Sequence, residues 1–156
     1  AMSIFTFLLP SFFAISLSIY REIPHPIFKV WYYPLQADEI DFDKIDTSVI
    51  YMLELEYSKS LNDPRLTNTK LRAPVAMKFG DWFRSFIENY NYKYDTDPIQ
   101  YLDEVGTPLG WIFYVKPSFL GTPKYIDPDL SILDNKLGEK KAILARRVKR
   151  IDDSND

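Results

Sequence analysis

The sequence predicts an α+β fold, an antiparallel sheet of three to four strands packed on one face by an aromatic-rich helix and a basic C-terminal helix. Three patterns point there. Phe79, Trp82, Phe83, Phe86, Ile87 and Tyr90 recur at i, i+3, i+4, i+7, i+8 and i+11, so all six lie on one side of a helix while Arg84, Ser85, Glu88, Asn89 and Asn91 face water. Val49, Tyr51, Leu53, Leu55 and Tyr57 alternate with a row led by Ile50 and Met52 and continued by Glu54, Glu56 and Ser58, the mark of a strand with one wet face. Leu137, Leu144, Val148 and Ile151 make a narrow apolar seam in an otherwise basic stretch, which predicts a last helix over 138–151.

Taken in order, the chain begins with Ile4 to Tyr20, which carries no charge. That is close to the length a bilayer span requires, but no basic residue precedes it and Pro10 interrupts it. Its second half also alternates, Phe13, Ile15, Leu17 and Ile19 on one side, so residues 12–21 are predicted as a strand of the core. Pro24 and Pro26 hold His25 in an extended connection, and a second strand is expected over 27–33 until Pro34 stops its ladder. The short connection favours an antiparallel hairpin. An acidic run follows over 35–47, then the alternating strand of 48–57. The polar stretch 59–74 reads as a long surface loop.

The aromatic helix is expected to start near Asp81 as N-cap. A second, shorter helix is predicted from Asp97 through Pro98 to Gly106, on its capping signals. Trp111 to Val115, apolar on both faces, belongs in the middle of a sheet. A helical turn is expected within 129–135. Ala1 ahead of Met2 reads as a vector remnant, so the expected organisation is one domain, 2–151, with a frayed acidic tail at 152–156.

Composition removes several classes of function. The net charge of -3 is unevenly spread: residues 1–136 hold 13 basic against 18 acidic side chains, or -5, and residues 137–151 hold six against Glu139 alone, or +5. An acidic body argues against nucleic acid as partner. Absence of cysteine excludes thiolate chemistry and disulfides, and nothing requires an oxidising compartment, so a cytoplasmic protein is expected. His25 is the single histidine and lies in a turn, which removes the common zinc sites. The five glycines are scattered singly, which leaves no phosphate-cradling loop. No cofactor and no metal is expected. The run Asp38, Glu39, Asp41, Asp43 and Asp46 lacks the glycine and terminal glutamate of a calcium loop and reads as a solvated acidic surface.

What remains is a surface. Tyrosines next to carboxylates, above all in residues 89–97, outnumber what one core can hold, and aromatic residues concentrate at the centres of interfaces. The predicted partner-binding set is therefore Asp38, Glu39, Asp41, Asp43, Tyr92, Tyr94, Asp95 and Asp97, with no catalytic residue. It would engage a basic protein, in the manner of small immunity or antitoxin proteins that cover the cleft of a toxin or nuclease. Two other readings stay open: a carboxylate-dependent hydrolase of the glycosidase kind using Glu54 and Glu56, and a membrane-associated assembly subunit held by 4–20 or by the basic terminus.

Overall fold

The computed structural model describes residues 29–117 and 121–148. The expected strand over 12–21, its hairpin, His25 and the uncharged segment 4–20 all lie outside those residues. In chain order the elements are β1 (Trp31–Tyr32), a 3-10 turn (Phe42–Lys44), β2 (Ile50–Tyr57), β3 (Thr67–Pro74), α1 (Phe79–Lys93), β4 (Gly110–Val115), β5 (Lys124–Tyr125) and β6 (Ala142–Val148). The strands form one sheet in the order β1-β4-β6-β2-β3, with β5 also paired to β4. All pairs are antiparallel except β2 with β6, which run parallel.

The expected antiparallel α+β fold is thereby corrected. The described residues form a curled, mixed sheet around one α-helix, and strand dominates.

The sheet forms the floor on which α1 packs. Phe79, Trp82, Phe83, Phe86 and Ile87 are buried against Leu53, Leu55 and Tyr57 of β2, Trp111 and Phe113 of β4, and Ile143 and Ala145 of β6. Phe83 lies 4.7 Å from Phe113 and 5.4 Å from Trp111, and Tyr57 meets Phe86 at 5.0 Å, all edge to face. Each such pair is worth about 0.5–1.5 kcal/mol beyond the area it buries. Strand β2 and helix α1 therefore follow the periodicities read from the sequence, and β4 sits between β6 on one side and β1 and β5 on the other.

Four local expectations fail. The basic C-terminal helix is instead strand β6, held by β2 on one side and β4 on the other. Ala-Ile-Leu-Ala-Arg-Arg favours helix in isolation, but as a strand it fills a slot where both backbone edges find partners and where Ile143 and Ala145 are buried. Arg147 follows them inward. Its guanidinium lies 4.8 Å from the Trp111 ring and donates to the carbonyls of Ser58 and Lys59, and burial pulls its pKa down to about 10.

The predicted helix at 97–106 is a series of turns. Asp103 Oδ1 accepts from the amides of Val105 and Thr107, a local alternative to helix. Asn91 meanwhile exchanges two hydrogen bonds with the backbone of Ile99, fixing it in place as a buried residue. Only Gly106 behaves as read, with φ of 89°.

The stretch 59–74, expected as loop, contains β3, paired to β2 over eight residues. Finally, Asp81 does not cap α1. Lys78 holds the N-cap position without a side-chain bond, and the amides of Phe79 and Gly80 are taken by the carbonyls of Leu130 and Pro128 at 3.0 and 2.9 Å. A distant loop thus supplies acceptors for the orphan donors of the first turn.

Candidate protein-binding surface

The acidic run is a built loop. Ile40 and Ile45 pack against the core while Asp38, Glu39, Asp41 and Asp43 stay exposed. Asp41 accepts from the Asp43 amide at 3.1 Å and so caps the 3-10 turn. The loop is tied to the flank of α1 through Arg84, whose Nη1 donates to the Asp38 carbonyl at 2.9 Å and whose Nε pairs with Glu88 at 2.9 Å. Tyr33 donates its hydroxyl to the same Glu88 at 3.1 Å and stacks on Tyr101 at 4.3 Å. Burial, with the Glu88 charge beside it, pushes the Tyr33 phenol up to about 12. The carboxylates are thus displayed on a fixed scaffold.

The tyrosine end lies where α1 stops. Tyr92 is 92% exposed, and Tyr94, 45% exposed, rests on Tyr90 at 4.7 Å with the Lys93 ammonium 5.3 Å from its ring. Asp95 is exposed. Asp97 is held by Lys59 at 2.6 Å, a hydrogen bond that raises the lysine's pKa, and the two line a depression of about 460 Å³ with Asp63, Arg65 and Thr67.

Both halves of the predicted set hang on α1, but the structure does not bring them together. Asp38 meets Arg84 in the second turn and Tyr94 follows the last, and ten residues at about 1.5 Å each separate them by roughly 15 Å along the axis. One ligand patch of a few side chains could not touch both. A protein face of ordinary size could, since each partner of a stable complex contributes about 800 Å².

Sequence reasoning missed what lies between. Phe42, more than half exposed, projects from the acidic loop over a groove of about 150 Å³ lined by Leu71, Met77, Trp82, Phe86 and Asn89. Its floor belongs to β3, and β3 had a legible signal. Thr67, Thr69, Leu71 and Ala73 alternate with Asn68, Lys70 and Arg72, and the burial follows that period of two.

Glu54 and Glu56, the carboxylates of the hydrolase reading, are engaged by neighbours on the outer face of the sheet. Asn68 Nδ2 donates to Glu54 at 2.5 Å and Lys116 pairs with Glu56 at 2.6 Å. Among the described residues no group of three or more histidines or acids could hold a metal ion, and no helix is long and apolar enough to cross a membrane.

Comparison with known proteins adds one finding. The family model described as "Type VI secretion system, TssN" matches residues 1–148. No curated protein and no solved structure matches.

Proposed function

The chain belongs to the TssN family of type VI secretion system components, and on that premise we propose that it is a non-catalytic assembly subunit that grips another protein of the machine through the surface built on α1. The family supports an assembly and protein-interaction role. It gives no support to an immunity or antitoxin role, and the assembly subunit held open from the sequence takes that place.

One observation carries the assignment of the surface. Tyr92 stands 92% exposed in the last turn of α1, beside Tyr94 and Asp95, where no ring contact to it is made among the described residues. Tyrosine is among the side chains that most often anchor a protein interface, and two of them stand exposed together here. The carboxylates tied to the second turn of α1, Asp38, Glu39, Asp41 and Asp43, add negative charge along the same helix, so a partner with a basic face fits best. Asp97, already neutralised by Lys59, contributes shape more than charge.

The test is co-expression of the tagged chain with the other components of its own secretion system, followed by capture at low and high salt. The wild-type chain is expected to retain a named component of that system, more firmly at low salt. Tyr92→Ala with Tyr94→Ala should weaken retention at least tenfold, as loss of an aromatic anchor costs about 2 kcal/mol or more. Retention unchanged in the double variant removes α1 as the working surface. Retention of no component removes the assembly reading itself.

A further inference from the structure

Residues along a strand turn their backbone groups alternately to the two sides, and the pairing of β2 shows which side of β3 is occupied. The Glu54 amide donates to the Lys141 carbonyl, and the Met52 carbonyl accepts from the Lys140 amide, both toward β6. Tyr51, Leu53, Leu55 and Tyr57 therefore face β3, where their register partners are Ala73, Leu71, Thr69 and Thr67. The Val75 amide continues the same row to the Val49 carbonyl at 3.1 Å. It follows that Asn68, Lys70 and Arg72 turn their N–H and C=O away from the sheet.

On that outer side the Arg72 carbonyl is taken by Trp82 Nε1 at 3.0 Å, and Pro74 closes the row without a donor. The N–H and C=O of Asn68, those of Lys70 and the N–H of Arg72 have no partner among the described residues. A regular strand edge of this length is a template for another chain, and folded proteins bury, bulge or shorten it or set charges on it; here Lys70 and Arg72 disfavour an apolar or cationic strand and leave an acidic one admissible.

We propose that β3 receives an extended segment of a second protein, in which acidic and apolar residues alternate, as an added strand along residues 68–72. The two faces of the edge specify that alternation. On the outer face Lys70, Arg72 and Lys140 are exposed and outnumber the two carboxylates beside them, Glu54 opposite Lys70 and Glu139 near Arg72, and neither Lys70 nor Arg72 belongs to an ion pair among the described residues. On the inner face the edge opens into the groove between β3 and α1, where Leu71, Trp82, Phe86 and Phe42 offer an apolar wall. A strand laid here points every second side chain at the cations and the others into the groove. Backbone pairing supplies affinity and the alternating pockets supply selection.

This surface uses other residues than the tyrosine end of α1 and selects the opposite charge. Its test involves no secretion component, so failure here leaves the assembly reading standing.

The experiment titrates the full 156-residue chain, isotopically labelled, with synthetic peptides of about ten residues, the length of a long strand. One alternates Val and Glu, one alternates Val and Lys, and one has the Val and Glu residues in two blocks. The alternating acidic peptide is expected to bind at least tenfold more tightly than the others and to slow hydrogen exchange at the amides of Asn68, Lys70 and Arg72.

Lys70→Pro removes an amide that faces solvent, so the β2 ladder survives while the added strand loses a donor. Binding should fall at least tenfold in Lys70→Pro and only severalfold in Lys70→Ala. Equal binding of all three peptides, no binding, or no change in exchange at those three amides overturns the proposal. So does slow exchange there before any peptide is added: dependence on protein concentration would assign the edge to a second copy, and independence to the chain's own residues.

Discussion

Asn135 is the buried polar side chain on which the loop over 127–137 depends. Its Nδ2 donates to the carbonyls of Asp127 at 2.8 Å, Ser131 at 3.0 Å and Leu130 at 3.3 Å, while its Oδ1 accepts from the Asp127 amide at 2.8 Å. The substitution Asn135→Asp keeps the shape and exchanges the amide donor for a carboxylate oxygen facing three carbonyls. The donated bonds are worth about 0.5–1.5 kcal/mol each, and a buried polar group left unpaired costs about 1–3 kcal/mol more. Because the three share one nitrogen they do not add fully, so a loss of about 3–5 kcal/mol is expected at pH 7, against a total of about 5–15 kcal/mol for a domain. The damage should spread to α1, since Leu130 and Pro128 cap its first turn, and hydrogen exchange at Phe79 and Gly80 should quicken.

The sign of the pH dependence follows from the same geometry. Carbonyl oxygens and burial raise the new carboxyl's folded pKa above its unfolded value near 3.9. The variant is therefore closest to wild type below that value, where the group is protonated and can donate one bond, and loses stability as pH rises through the folded pKa. The assay is urea unfolding followed by tryptophan fluorescence, with each variant compared to wild type at pH 4 and pH 7. A difference under about 1 kcal/mol at pH 7, or one that is no smaller at pH 4, refutes the reasoning.

Gly80→Ala should destabilise, although alanine favours helix by about 1 kcal/mol, because a Cβ there would stand 2.7 Å from Trp31 Nε1 and 3.1 Å from the Pro128 carbonyl; a raised melting temperature would contradict the close packing. Phe83→Ala, in the middle of the ring cluster, should cost about 3–5 kcal/mol in chemical denaturation. Tyr33 and Tyr57, both pushed up to about 12 chiefly by burial, stay neutral in the fold after their unfolded counterparts ionise near 10. Their contribution to stability is complete below pH 10 and is lost as pH rises toward 12, which ultraviolet titration of the phenolates against unfolding will follow.

Helix α1 and strand β2 were legible because each presents a single face to a single core, so periodicity alone reveals it. Strand β3 was harder. Its inward row of Thr67, Thr69, Leu71 and Ala73 is weakly apolar, since an edge strand covered on one side has little surface to bury. Of the candidate site, the exposed carboxylates and tyrosines were readable as surplus surface. Phe42 and the groove beneath it were not, because they exist only where loop 35–47, β3 and α1 converge.

Amphipathic periods, the absence of cysteine and the acidic body were settled residue by residue along the chain, as short-range properties that no folding partner alters. The state of residues 142–148 was not among them. Their local preference is helical and their neighbours' need is for a strand, and the sheet prevails because alternate residues of the strand find backbone partners in β2 and in β4 while Ile143 and Ala145 are buried. That slot is created by β2 and β4, which are distant in sequence, and its occupant comes from farther along still, with Glu54 beside Ala142, so it is written in no window of the chain. The outer edge of β3 arises the same way: among the described residues the sheet order, and nothing local, decides which strand is paired on one side only.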